Sequence, residues 1–212
     1  MFITLEGIEG SGKTTQVNNI IRFFEKRGDD CIVTREPGGT EIGKQIRTIL
    51  LNPGNRNLFP LTELLLYAAD RAQHIKEKII PELSSGKTVI CDRFFDATTI
   101  YQGFARGLDM KLIQNLHHIV LDDLKPDLTI LFDLPVKTGL TRAWKQIDEG
   151  SRSNAETRFE KEALAFHEKV RSGYLELAGQ EPDRIRIIDA SKKKKKVSEE
   201  ILAILTHELE KG

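Results

Sequence analysis

Eight residues near the start of the chain, Gly7-Ile8-Glu9-Gly10-Ser11-Gly12-Lys13-Thr14, follow the spacing G-x-x-x-x-G-K-[ST]. That spacing has a direct physical use. Glycines let the backbone curl until its N–H groups point inward at phosphate oxygens. A helix opening at the end of the loop adds the positive potential of its N-terminus. Lys13 can reach the β- and γ-phosphates, and the Thr14 hydroxyl, followed by Thr15, suits Mg²⁺. The motif alone occurs by chance, so its context decides. An apolar run, Phe2 to Leu5, precedes it, and Val17, Ile20, Ile21 and Phe24 recur at helical spacing after it. Strand, glycine loop and helix in that order make the ligand class a nucleoside triphosphate.

The other residues suited to chemistry collect just past predicted strands. Arg35-Glu36-Pro37-Gly38-Gly39-Thr40 follows Cys31–Thr34, Asp92-Arg93 follows Thr88–Cys91, and Asp133 follows Leu128–Phe132. Parallel sheets bind ligands beyond the C-terminal ends of their strands. Bringing two polyanions together requires cations, and arginine supplies bidentate contacts to phosphate. A guanine-reading N-K-x-D element is absent from the sequence, and motor ATPases and transporters are usually longer. A nucleotide kinase fits these features better.

The elements that must position these residues alternate. Strands are expected at Phe2–Leu5, Cys31–Thr34, Thr88–Cys91, Leu128–Phe132 and Arg184–Ile188. Helical patterns follow Lys13 up to Gly28, then carry Ile42, Ile46, Ile49 and Leu50, then run from Thr62 to Leu83 with Pro81 able to kink the end. Further helical sequence reaches about Leu124, and more is expected over Val136–Ile147, Phe159–Leu177 and Val197–Leu209. This alternation predicts an α/β fold: a five-stranded parallel sheet with helices on both faces. With 212 residues and no Pro/Gly/Ser-rich linker in the middle, one domain over 1–212 is expected.

Composition narrows the partners. Lys+Arg and Asp+Glu are both 32, so there is no global basic field of the kind nucleic-acid binders carry. No stretch approaches the ~20 apolar residues of a membrane span. Two cysteines, Cys31 and Cys91, and the lack of a basic leader point to a reducing cytoplasm. The five histidines show no metal-ligand spacing, and His117-His118 reads as helix surface.

Thr34-Arg35-Glu36-Pro37-Gly38-Gly39-Thr40, Tyr67-Ala68-Ala69-Asp70-Arg71-Ala72-Gln73-His74, Asp92-Arg93-Phe94 and Tyr101-Gln102-Gly103 together resemble bacterial thymidylate kinase. That family belongs to the P-loop nucleoside monophosphate kinases, and the likeness covers essentially the whole chain. It implies transfer of phosphate from ATP to dTMP with Mg²⁺, a P-loop kinase fold and a homodimer. It places Glu9 on the sugar 3′-hydroxyl and Arg35 and Arg93 on the dTMP phosphate. Pro37 and Arg47 join the dTMP side, although an arginine on a helix is ordinarily exposed. Asp92 takes the role of an acid that positions Mg²⁺. Tyr67 stacks on thymine, where many members have Phe, and Arg71 bonds a base carbonyl. Thr98 and Gln102 reach polar base atoms, and Tyr101 crowds the 2′ position.

The resemblance also implies a small mobile lid at about 142–158. There Arg142 and Arg152 face ATP, and Arg158 best matches the family's catalytic lid arginine, with Arg152 its competitor. Members with an arginine in the phosphate loop differ; here that position is Gly10. Thr157 stands where an acid is common. The run Lys192–Lys196 reads mostly as a solvated cationic loop near the expected adenine edge. The rivals are a kinase for another monophosphate, an ATP-binding switch without an acceptor, and a nucleic-acid contact through the lysine run.

Overall fold

Every residue of Phe2–Glu6 is buried, which only a central strand covered on both faces allows. The computed structural model describes residues 1–151 and 153–210. Among them five strands form one parallel sheet in the order β2-β3-β1-β4-β5. They are β1 (Phe2–Glu6), β2 (Cys31–Arg35), β3 (Thr88–Asp92), β4 (Leu128–Asp133) and β5 (Ile185–Asp189). The alternation of strand side chains divides the core. Ile3, Leu5 and Ile90 enter one apolar cluster, whereas Phe2, Val89 and Cys91 enter another.

The helices are α1 (Lys13–Arg27), α2 (Glu41–Leu51), α3 (Pro60–His74), α4 (Ile80–Ser84), α5 (Phe95–Thr98) and α6 (Met110–Leu121). They continue with α7 (Val136–Asp148), α8 (Leu164–Gln180) and α9 (Lys194–Glu210). Ile20 and Phe24 of α1, Val170 and Tyr174 of α8, and Ile201 and Leu205 of α9 fill the first cluster. Gly28 ends α1 in the left-handed region at φ 77°, its N–H returning to Glu25 and Phe24. Thr40 starts α2, its hydroxyl accepting from the Gly43 N–H at 2.9 Å.

Two helical segments differ from the expected regular pattern. Between α3 and α4 a π-helical turn spans Ile75–Ile79, closed by the Ile80 N–H on the Ile75 carbonyl. Pro81 lacks an N–H and its ring crowds the preceding turn, so a wider turn just before it keeps the helix continuous. A second π-helical turn covers Thr99–Ala105 and carries Tyr101 and Gln102. Hydrophobic spacing does not distinguish such turns from α-helix. Helix α8 begins at Leu164, not Phe159, because residues 157–160 turn inward and are buried, Phe159 among them. Helix α7 extends through Asp148, so Arg142 and Lys145 stand on regular helix. Helix α9 starts within the lysine run, leaving Lys194–Lys196 exposed in its first turn.

The phosphate loop presses on α7 where neither chain has a side chain. A Cβ on Gly10 would lie 2.1 Å from the Gly139 carbonyl oxygen, and one on Gly139 would lie 2.5 Å from the Glu9 carbonyl oxygen. Both obstacles are backbone and cannot swing aside. Gly139→Ala is therefore expected to destabilise the protein by about 1–3 kcal/mol and to displace the loop. Denaturant unfolding and a nucleotide-binding titration would check both effects.

Candidate active site

The loop after β1 is built to receive an anion. Gly7, Gly10 and Gly12 all have positive φ, and Gly12 leads into α1 at φ 92° without any side-chain cap. The positive end of α1 therefore opens into the cleft. Lys13 folds back on the loop. Its ammonium donates to the carbonyls of Gly7 (2.9 Å) and Ile8 (3.2 Å) and to the Ser11 hydroxyl (3.2 Å). Burial and the neighbouring Arg93 bring its pKa down to about 8, against the pull of Asp92, Glu9 and Glu6. Asp92, at the end of β3, keeps a buried Oδ1 without a hydrogen-bond partner among the described residues.

This loop forms one wall of a 570 Å³ cleft beyond the C-terminal strand ends. Glu9, Gly10, Ser11, Gly12, Lys13, Thr14 and Thr15 line it on one side. Arg35, Pro37, Arg47, Tyr67, Arg71, Thr98, Tyr101 and Gln102 also line it as the acceptor wall, with Asp92 and Arg93 at the end of β3. Gly7 and Ile8 contribute only the carbonyls that hold Lys13.

Behind the cleft the charges are paired. Arg93 sits at φ 69°, a left-handed conformation held by its N–H on the Leu5 carbonyl at 3.0 Å. Its guanidinium donates to Glu9 Oε1 (3.1 Å) and the Tyr174 hydroxyl (3.3 Å) and lies over the Tyr101 ring. The Tyr101 hydroxyl donates to the same Glu9 oxygen at 2.7 Å. Burial alone would raise the Glu9 carboxyl, but His167, Arg93 and Tyr101 outweigh it and hold the group well below the usual carboxylate range. Glu6 differs. It accepts from the Phe94 N–H (2.8 Å) and the Tyr174 hydroxyl (2.5 Å), yet burial pushes its pKa up to about 7, Arg93 opposing.

The base-side residues rest on a second buried network. Arg71, 2% exposed, donates to Glu36 Oε2 (2.7 Å), the Phe94 carbonyl (3.2 Å) and the Thr98 hydroxyl (3.0 Å). Glu36 Oε1 is 2.9 Å from His74 Nδ1, and His74 Nε2 is 2.6 Å from the Thr34 hydroxyl. Asp70 Oδ1 accepts from the Gly38 N–H at 3.0 Å, and burial beside Glu36 raises its pKa to about 6. The loop Arg35–Thr40 is thereby fastened to α3. Arg47 donates to both oxygens of Glu156 (2.9 and 2.7 Å) and to the Pro37 carbonyl (2.9 Å). Arg35 remains exposed at the cleft rim, with no side-chain partner among the described residues.

A family model described as thymidylate kinase matches residues 5–201. The chain belongs to the thymidylate kinase family. It is 58% identical over 190 residues to the thymidylate kinase of Desulfosudis oleivorans, covering 90% of this chain and 89% of that one. It is 56% identical over 209 residues to that of Desulforapulum autotrophicum, covering 99% and 92% respectively. The crystal structure of thymidylate kinase from Ehrlichia chaffeensis superposes with a TM-score of 0.76 at 34% identity, over 97% of this chain and 98% of that one.

Two family-derived arginines, Arg142 and Arg158, lie outside the cleft lining. Arg142 donates to the Ala190 carbonyl at 3.2 Å. Arg152 falls outside the described residues. Arg158 is 9% exposed, its Nη1 2.6 Å from Glu63 Oε2, and its Nε donates to the Leu50 carbonyl. Arg158 is thus paired with Glu63 of α3 in this structure. Other residues joined the site unannounced: Glu6, Glu36, His74, His167 and Tyr174. Glu36 and His74 lie within the segments that carry the family resemblance, whereas Glu6, His167 and Tyr174 read in sequence as ordinary strand or helix residues and only their burial in the fold reveals them. His117 likewise is half-buried against Phe95 and Thr99 instead of standing on an open surface, and its pKa falls to about 3 with burial.

Glu6 sets a pH dependence. Its pKa rises from 4.5 unfolded to about 7 folded. The stabilisation it adds is full below pH 4.5 and is lost as pH rises through about 7, an effect on the order of 3 kcal/mol. Glu6→Gln should flatten the fall in stability between pH 5 and about 7.5 relative to the parent, as read by urea unfolding at each pH.

Proposed function

We propose that this chain transfers the γ-phosphoryl group of ATP to dTMP, giving dTDP and ADP. The observation that carries the reading is the meeting of the two halves of the cleft at Arg93. It pairs with Glu9 of the phosphate loop and lies over Tyr101 of the acceptor wall. A guanidinium there spans the gap between two bound polyanions.

The chemistry is positioning and charge neutralisation. An oxygen of the dTMP phosphate attacks the γ-phosphorus in line, and the bond to the β,γ-bridging oxygen breaks, releasing ADP. That oxygen is already largely ionised at neutral pH, so no strong base is required. Lys13 exchanges its loop carbonyls for phosphate oxygens, and Arg35 and Arg93 hold the acceptor phosphate. Tyr67 offers its ring to thymine. Arg71 has its Nε and Nη2 committed, which leaves Nη1 for a base carbonyl, with Thr98 and Gln102 beside it. Glu9 accepts the 3′-hydroxyl, and Tyr101 leaves little room for a 2′-hydroxyl.

Mg²⁺ fits the Thr14 hydroxyl and the orphaned Asp92 Oδ1 and would neutralise phosphate charge there. Among the described residues no group of three or more His, Cys, Asp or Glu forms a metal cage. That matches an ion that keeps waters and relies on substrate phosphates.

The reading extends to one domain over 1–212 with a closing segment at about 142–158, in which Arg142, Arg152 and Arg158 remain the arginine candidates. Phe59, Leu61 and Leu65 beside and on α3, with Met110, Leu112 and Ile119 on α6, are exposed apolar residues and support a homodimer packed helix on helix. The unpaired Cys31 and Cys91 support a reducing cytoplasm. No described helix is long and apolar enough to cross a membrane.

ADP formation from Mg-ATP against dTMP, dUMP, UMP, CMP, AMP and GMP tests the assignment. Selective turnover of dTMP is expected. Preference for another monophosphate would discard the roles of Tyr67 and Arg71, and ATP binding without acceptor-dependent turnover would make the chain a nucleotide switch. Lys13→Ala and Arg93→Ala should each lower kcat by at least about 100-fold, measured at saturating substrates. Near-normal turnover in either purified variant would remove that residue from the mechanism.

A further inference from the structure

Glu9 is held at one carboxylate oxygen by visible hydrogen bonds and at the other by none. Oε1 receives the Tyr101 hydroxyl and Arg93, whereas Oε2 is buried and lacks a hydrogen bond among the described residues. The neighbour of Oε2 is His167 of α8, whose Nδ1 lies 3.3 Å away without hydrogen-bond alignment. His167 is 1% exposed, and neither ring nitrogen has a hydrogen-bond partner among the described residues. A carboxylate oxygen and an imidazole, both with almost no exposure, thus face each other without an aligned hydrogen bond. Buried polar groups without partners are rare and call for a use. At 3.3 Å, a small rotation of the imidazole would align Nδ1 with Oε2.

The surrounding rings favour that rotation staying local. Phe166 meets the His167 ring edge-on and stacks on Phe159, and Phe159 meets Tyr101 edge-on. The donors on the two sides of Glu9 therefore come from one packed aromatic cluster. A carboxylate gripped at both oxygens cannot turn, and a fixed acceptor bonds a substrate hydroxyl without first being ordered.

We propose that His167 is a positioning residue, which donates from Nδ1 to Glu9 Oε2 and fixes the carboxylate that receives the sugar 3′-hydroxyl of the acceptor. The inference rests on the reading of Glu9 given above. It does not require His167 to touch substrate.

The test compares kcat and KM for dTMP, for its 3′-deoxy analogue and for ATP in the full-length parent and its variants. His167→Leu is expected to raise KM for dTMP about 10-fold, and to reduce the preference for dTMP over the 3′-deoxy analogue by a similar factor, with KM for ATP unchanged. His167→Asn, whose amide nitrogen occupies the place of Nδ1, should restore most of that preference. If His167→Leu fails to fold, His167→Phe keeps a ring in the aromatic cluster and carries the same comparison. A folded Leu or Phe variant with the parental preference would overturn the proposal, as would an Asn variant no better than either. Glu9→Ala, which removes the acceptor oxygens, separates the two levels. If the preference survives in Glu9→Ala, the sugar contact of Glu9 itself is wrong. If it collapses there but persists in His167→Leu, only the role of His167 falls.

Discussion

Arg93 and Glu9, 3.1 Å apart and largely shielded from water, form the ion pair on which the site depends. One belongs to the turn after β3 and the other to the phosphate loop after β1. Adjacent parallel strands bring those turns side by side, with Leu5 opposite Asp92. A buried charge without its partner is costly, so each half of the pair compels the other to stay. The same logic extends outward. Lys13 leans on loop carbonyls, Arg71 on Glu36, and Glu6 on the Phe94 N–H and the Tyr174 hydroxyl. Buried cations and carboxylates face one another around the cleft, which allows a charged site to exist within a packed interior.

The scaffold contributes closeness as much as rigidity. Gly10 and Gly139 let two backbones approach where any side chain would collide with a carbonyl oxygen. The π-helical turn at Thr99–Ala105 gives Tyr101 and Gln102 their places in the wall, and wide turns of this kind often mark functional sites. The Arg47–Glu156 pair connects α2 to the short 3₁₀ turn at Asn154–Glu156, so the segment after α7 is already tied to the acceptor wall. Any closing motion of that segment must move or break this contact.

Much of the architecture was legible in the sequence because it follows short-range rules. Short continuous apolar runs, glycine at the turns and helical spacing after Lys13 mark the five strands and most helices. The phosphate loop was legible for a similar reason: its function lies in backbone N–H groups and one lysine within eight contiguous residues. The acceptor wall required several separated segments read together. The arginines near 142–158 were the least legible, since their role depends on direction. Arg158 turns inward to Glu63 of α3, nearly a hundred residues earlier.

The sequence by itself determined the parallel α/β sheet and the anion-binding loop, and it marked Arg35 and Asp92-Arg93 at strand ends that open on the cleft. Those depend on local periodicity, on glycine's access to positive φ and on positions just past strand ends. Only the tertiary structure decided the pairing of the buried charges. Glu6 reaches Tyr174 across 168 positions, Glu36 reaches Arg71 across 35, and His167 arrives beside Glu9 from α8. No spacing rule joins such residues. Their meeting is set by strand order and helix packing, and it is the low polarity of that packed interior that makes each meeting matter.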